Sequence, residues 1–149
     1  MKPLFLLIAV FALSLTGFKM FSQHVDYKMS GKIALASMLL FTASGHFLYT
    51  KGMSMMLPDG IPFRTAWIYL TAGIEIAAAA AIFIPRLHKL TGLLLILFFV
   101  LVLPANMYAA TKHLDYETAT WTGKGVSYLW FRVPFQLLLM AWTYFFVVK

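Results

Sequence analysis

The sequence predicts an all-α membrane protein: a four-helix transmembrane bundle preceded by an additional N-terminal hydrophobic helix. The prediction depends on the composition, on long apolar stretches, and on polar residues placed inside those stretches. Of the 149 residues, 62% are hydrophobic and 11% are charged, and the mean hydropathy is +0.83. Soluble proteins average about half apolar and about a quarter charged residues. One small soluble core cannot bury so many apolar side chains, so a soluble domain, a disordered chain and a coiled coil are excluded.

Five apolar stretches are long enough to cross a bilayer, which takes about 20 helical residues. Open sheets cannot span lipid, and these stretches do not alternate as barrel strands do, so each is predicted to be a helix. The predicted spans are approximately 3–21, 31–49, 65–84, 90–110 and 126–148.

The chain is predicted to divide into two parts. Residues 1–24 form the N-terminal hydrophobic helix, and residues 31–149 form the four-helix transmembrane domain. Lys2 and the apolar run Leu4–Leu15 are typical of a signal peptide. No small-x-small cleavage site follows, because the next residues are Phe18, Lys19 and Met20. A retained anchor is therefore favoured over a cleaved signal.

The charge of +7 and the absence of cysteine limit the possible partners. Without cysteine, disulfides, thiolate metal sites and catalytic thiols are excluded. No run of basic residues exists, so no nucleic-acid partner is expected, and the charge is interpreted as contact with anionic lipid headgroups. Five spans divide the lysines and arginines of the connections into two groups, one on each side of the membrane. The group that is more concentrated next to helix ends is predicted to face the cytoplasm. That group is Lys19, Lys28, Lys32, Arg86, Lys89 and Lys149.

Polar residues inside predicted spans mark a functional site by default, because they are costly in lipid. Four helices each contribute one or more, and counting 1.5 Å per residue places them roughly 6 to 15 Å below the outer helix ends. Arg132 is expected to reach toward Glu75, since pairing offsets the cost of burying both charges. The pair is interpreted either as lining a ligand or proton site or as a clamp that fixes helix register. The predicted ligand-binding residues are His46, Glu75, Asn106, Tyr108, Tyr128, Arg132 and Gln136.

Other interpretations of these residues stay open. His46 is also explained as a hydrogen-bonded interior residue, and Asn106 as the cap of a helix bent at Pro104. Haem is disfavoured because His46 has no second histidine at its depth. No catalytic residue and no metal ligand is assigned.

Four segments occur in a characteristic order, and together they cover about residues 31–148. They are Gly45-His46-Phe47, Leu70–Ile76, Pro104–Tyr108 and Arg132–Gln136. This ordered set resembles the DoxX-like family, whose last two motifs are similar to PANxYMA and RLPLQ. The departures here are Met107-Tyr108-Ala109, Val133 and Phe135.

The resemblance implies a small bacterial inner-membrane four-helix bundle, to which the N-terminal span is an addition. Some family members are linked to quinone-coupled sulfur oxidation or to membrane redox complexes. That link implies a context rather than a reaction, because no residue here is a redox centre.

Three functions remain open. The first is a non-catalytic membrane subunit or binding module with a polar pocket for a quinone, a lipid or a similar amphipathic ligand. The second is a proton-coupled transporter that uses Glu75. The third is an intramembrane isomerase with His46 and Glu75 as acid and base. The first is favoured over an enzyme. The expected partners are the lipid bilayer, an amphipathic small molecule and a larger membrane complex, and no cofactor is expected beyond a quinone.

Overall fold

The computed structural model describes residues 2–22 and 25–149, and helices dominate the described residues. A 3₁₀ turn, Gly125–Tyr128, leads into the last helix, and a π-helical turn, Tyr144–Val148, continues it. Within the described ranges there is no strand, only the isolated bridge between Asp115 and Thr120. The all-helical prediction is confirmed. The helices are α1 Lys2–Ser22, α2 Tyr27–Leu48, α3 Thr50–Ser54, α4 Arg64–Ala81, α5 His88–Thr111 and α6 Leu129–Thr143.

Four helices are long and apolar enough to cross a membrane, as in a multi-pass membrane protein. The predicted span 65–84 is not among them. It forms α4, whose Arg64 and Glu75 lower its hydropathy, and the helix ends at Ala81, three residues before the predicted end. The four candidate spans are Lys2–Phe21, Tyr27–Leu48, His88–Thr111 and Gly125–Val148.

Helix α2 is central to the packing. It contacts α1, α4 and the π-helical turn after α6, whereas α5 packs mainly against α6 and that turn. The carboxylate of Asp26 caps α2 by accepting a 2.9 Å hydrogen bond from the Met29 amide, which satisfies one of the free donors at a helix start. The core between the helices is apolar, and its fully buried large side chains include Leu7, Leu35, Leu39 and Ile82. Large apolar side chains also cover the outside of the bundle, a surface suited to lipid.

Contacts between distant segments define the two ends of the bundle. At the end called the outer end, the Lys2 ammonium lies 3.0 Å from the Glu117 carboxylate, and the rings of Tyr49 and Tyr116 meet edge to face. At the opposite, inner end, Lys28 Nζ donates to the Lys149 carbonyl at 3.4 Å. Consecutive connections therefore alternate between the ends.

Helix α1 is integrated into the bundle. Leu7 is fully buried, and the Phe11 ring meets the Trp142 ring edge to face, with 4.9 Å between centroids. Phe11 also packs against Phe146. The apolar contacts of α1 thus reach both α2 and the C-terminal segment.

Gly31 lets the C-terminal segment approach α2 closely. A Cβ at this position would overlap the Phe146 ring and lie 2.8 Å from the Phe146 Cβ. The Gly31 carbonyl also accepts a hydrogen bond of 3.0 Å from Trp142 Nε1. Any side chain at residue 31 therefore pushes this aromatic cluster away.

We expect Gly31→Ala to destabilise the protein by about 1–3 kcal/mol, the usual cost of overpacking. Gly17→Ala is the matched control, because a Cβ there meets nothing within 4 Å. Unfolding of the purified protein in detergent, followed by tryptophan fluorescence, measures both. Equal stability of the two variants would contradict the close packing at Gly31.

Candidate functional site

Hydrogen bonds divide the predicted polar residues between two helix pairs. His46 and Glu75 meet between α2 and α4, in what we call the carboxylate cluster. Asn106 and Arg132 meet between α5 and α6, and Gln136 of α6 bonds to the α5 backbone; we call these three the guanidinium cluster. No hydrogen bond or salt bridge among the described residues joins the two clusters.

The carboxylate cluster is a chain of four side chains. Glu75, only 7% exposed, accepts a 3.0 Å hydrogen bond from Thr42 Oγ1, and its Oε2 lies 3.5 Å from His46 Nε2. Thr71 Oγ1 lies 3.3 Å from His46 Nδ1. Thr42 and His46 are four residues apart on α2, as are Thr71 and Glu75 on α4, so each pair shares one helix face. The antiparallel helices bring the two faces together.

The predicted pairing of Arg132 with Glu75 is wrong, because Glu75 pairs with His46. Counting residues from the outer helix ends places His46 and Glu75 at depths that differ by roughly 9 Å, yet their side chains lie 3.5 Å apart. Counting along each helix assumes that the helix ends are level, and it ignores the reach of the side chains. Thr42 was missed, although its spacing of four from His46 is visible in the sequence.

The guanidinium cluster surrounds the proline-containing turn of α5. Arg132 Nε donates to Asn106 Oδ1 at 3.1 Å, and Asn106 Nδ2 donates to the Val102 carbonyl at 2.9 Å. Gln136 Nε2 donates to the Phe99 carbonyl at 2.6 Å. A proline inside a helix interrupts the backbone hydrogen bonds of the preceding turn. The two side-chain amides supply additional donors to carbonyls of that turn.

Two polar groups in this cluster lack partners among the described residues. Gln136 is 1% exposed, and its Oε1 accepts no hydrogen bond there. Arg132 donates from Nε to Asn106. Within the described part of the chain, its terminal nitrogens have no hydrogen-bond acceptor, and no carboxylate forms a salt bridge with it. A guanidinium has five N–H donors, so four remain for a ligand or water. The Arg132 Cζ lies 5.9 Å from the centre of the Phe135 ring.

The two predicted tyrosines lie outside both clusters. Tyr108, near the end of α5, lines a cleft of about 300 Å³ at the outer end. Tyr128 is half-buried in the 3₁₀ turn before α6.

Two further features bear on what the site can hold. A second, apolar cleft of about 190 Å³ lies between α1 and α6, and no pattern along the chain predicts it, because its wall combines residues of two distant helices. The cleft, which we call the α1–α6 groove, is lined by Leu4, Trp130, Phe131, Pro134, Phe135 and Leu138.

Within the described ranges, no group of three or more His, Asp or Glu side chains is placed to hold a metal ion.

The segment 112–124 covers the outer end and is itself ordered by hydrogen bonds. Asp115 and Thr120 exchange backbone hydrogen bonds of 2.8 and 3.2 Å, and a Cβ on Gly52 would overlap the Tyr116 carbonyl. Burial raises the pKa of the Tyr116 phenol to about 12, with smaller contributions from Tyr128 and Glu117.

We expect alkaline unfolding to report on Tyr116. Its pKa in the folded protein is about 12, against an ordinary 10.0, so the unfolded chain loses this proton first. Stability is therefore expected to fall as the pH rises from 10 towards 12. Tyr116→Phe should reduce this loss, whereas Tyr27→Phe, at a position 61% exposed, should not. Detergent-phase unfolding at a series of pH values measures the slopes, and equal slopes for wild type and Tyr116→Phe would contradict the burial.

Comparison with known proteins places the chain in a family without assigning an activity. No curated protein and no solved structure matches it significantly. The family model described as Domain of unknown function (DUF8561) matches residues 35–147, which include both polar clusters. That range covers most of the sequence and leaves out α1. The chain therefore belongs to the DUF8561 family.

Proposed function

We propose that the protein is a membrane-embedded binding module for an amphipathic ligand. In this proposal Arg132 holds the polar group of the ligand, and the α1–α6 groove holds its apolar tail. The observation that carries the proposal is that Arg132, a cation on an apolar helix, is only partly paired. Asn106 fixes one of its donors, and the others have no acceptor among the described residues.

The electrostatics favour an oxygen-rich polar group. A charged residue within a membrane-spanning helix is costly unless a partner offsets the cost, and no carboxylate of the described chain supplies one to Arg132. A planar guanidinium suits carbonyl, carboxylate and phosphate oxygens, to which it donates more than one hydrogen bond at once. A quinone carbonyl and a lipid phosphate both belong to this class.

The α1–α6 groove explains how the same ligand is held by its tail. Phe135 lines the groove, and its ring lies 5.9 Å from the Arg132 guanidinium. The polar and apolar parts of the site therefore share one side chain. A groove of about 190 Å³ with an apolar lining accommodates part of an acyl or isoprenoid chain rather than a whole ligand.

We expect Arg132→Gln to lower the amount of copurifying amphipathic ligand by about 10- to 100-fold, the effect of losing a charge-assisted hydrogen bond of roughly 1.5–3 kcal/mol. Arg64→Gln is the control, because Arg64 is also an arginine near the outer end but pairs with Asp59 at 2.8 Å. Extraction and mass spectrometry of both folded variants give the ligand per protein. Equal retention in wild type and Arg132→Gln would contradict the proposal.

The topology we propose has five crossings: a four-helix bundle of α2, α4, α5 and α6, with α1 as a retained additional helix. Alternation of the connections between the two ends supports a crossing by α4. The buried Leu7 and the Lys2–Glu117 ion pair support retention of α1. The inner end, with its cluster of cations, is proposed to face the cytoplasm.

The DoxX-like resemblance extends this proposal to context. It supports a bacterial inner membrane as the location, a quinone as one ligand of the proposed class, and a larger membrane complex as the partner. The residues that carry the resemblance, among them His46, Glu75, Asn106, Arg132 and Gln136, are also those of the two polar clusters.

A second candidate function is proton-coupled transport, favoured by the chain of groups from Thr71 through His46 and Glu75 to Thr42. Buried acids near the middle of a membrane commonly act as proton relays. An acid–base isomerase needs the same His46–Glu75 contact, but neither of the two clefts is lined by these side chains.

If transport is the function, Glu75→Gln should lower proton flux by about 10-fold or more, because the amide cannot exchange a proton as the carboxylate does. Proteoliposomes with an enclosed pH-sensitive dye and an imposed membrane potential provide the measurement. Glu117→Gln is the control at an exposed acid of the outer end. Flux that is equal in wild type and Glu75→Gln would rule transport out and leave binding as the function.

A further inference from the structure

The cleft at the outer end carries opposite charges and two aromatic rings. Its volume is about 300 Å³, and its lining residues are Asp59, Tyr108, Lys112 and Trp121. It shares no lining residue with the α1–α6 groove and does not include Arg132. It therefore requires an explanation independent of the proposed function.

The two charges on this cleft do not neutralise each other. Asp59 Oδ1 accepts a hydrogen bond of 2.8 Å from Arg64 Nη1, and Asp59 Oδ2 has no partner among the described residues. Lys112 Nζ lies 6.0 Å from the centre of the Tyr108 ring, and no salt bridge joins it to any carboxylate in the described ranges. One free carboxylate oxygen and one free ammonium thus border the same space.

A ligand that carries both charges fits this arrangement better than a ligand with one. A simple anion would meet the Asp59 carboxylate, and a simple cation would meet both the Lys112 ammonium and the Arg64 guanidinium that pairs with Asp59. Trp121 is 52% exposed on the segment beyond α5, and tryptophan is typical of the interface between lipid and water. The cleft lies where the headgroups of a surrounding bilayer would be.

We infer that this cleft binds the headgroup of a phospholipid with a primary ammonium, that is, a phosphoethanolamine headgroup. Lys112 contacts the phosphate and Asp59 Oδ2 accepts a hydrogen bond from the ammonium. Trp121 packs against the glycerol and the first carbons of the tails. A trimethylated ammonium has no N–H to donate, so the contact with Asp59 distinguishes ethanolamine from choline lipids.

The test is a titration of the full-length protein in detergent with short-chain phosphatidylethanolamine, phosphatidylcholine and phosphatidylglycerol, followed by native mass spectrometry. Wild type is expected to bind the ethanolamine lipid about 10-fold more tightly than the other two, as for one charge-assisted hydrogen bond. Soluble phosphoethanolamine is added in a separate arm. Competition by it at similar concentrations would assign the site to a free metabolite and overturn the lipid assignment.

Variants separate the contributions of the two charges. Asp59→Asn should abolish the preference for ethanolamine, and Lys112→Gln should weaken the binding of all three lipids, whereas Lys124→Gln, at an exposed lysine of the same segment, should change neither. Asp59→Asn also breaks the salt bridge with Arg64. Arg64→Gln is therefore included as a control: it breaks the same salt bridge but keeps the Asp59 carboxylate, so it should retain the preference. Retention of the preference in Asp59→Asn, or its absence in wild type, would overturn the inference.

Discussion

The placement of α4 depends on the burial of Glu75 against α2. Its Arg64 and Glu75 leave α4 too polar to be recognised as a membrane span by hydropathy, and it packs mainly against α2. The Thr42 hydroxyl and the His46 ring on α2 both contact Oε2 of the Glu75 carboxylate. Removal of one partner from a buried charge generally costs more than the pair itself contributes. The polar contacts therefore favour the register of α4 in which Ile68, Ala72 and Ala78 are also buried.

Polar side chains also connect α5 and α6, here next to a proline inside α5. Pro104 interrupts backbone hydrogen bonding inside α5, and the amides of Asn106 and Gln136 donate to carbonyls of that turn. Asn106 then uses its remaining oxygen to hold Arg132. The same side chain thus bonds to the α5 backbone and orients the cation. This connection places the proposed polar contact for a ligand beside the proline-containing turn of α5.

Much of the fold could be predicted from the sequence, whereas the pairing of the polar residues could not. Long apolar stretches indicate helices, because a helix satisfies its own backbone hydrogen bonds in lipid. Polar residues inside such stretches, such as Glu75 and Arg132, are easily recognised. Which residue pairs with which depends on the rotation and tilt of each helix, and spacing along one helix contains neither. Asn106 and Arg132 are far apart in the chain, so no local pattern marks their contact. The α1–α6 groove depends on tertiary packing of the first helix, for which a single sequence offers no periodic signal.

Leu4 gives the α1–α6 groove a wall that lies outside residues 35–147, the part of the chain matched by the family. Arg132 thus lies within the matched range, whereas part of the groove lies outside it. A substitution at Leu4 alters the lining of the groove without removing a hydrogen bond of either polar cluster. In the proposed function, selectivity for the tail of the ligand can therefore change independently of recognition of its head, through a segment that contributes no group to either polar cluster.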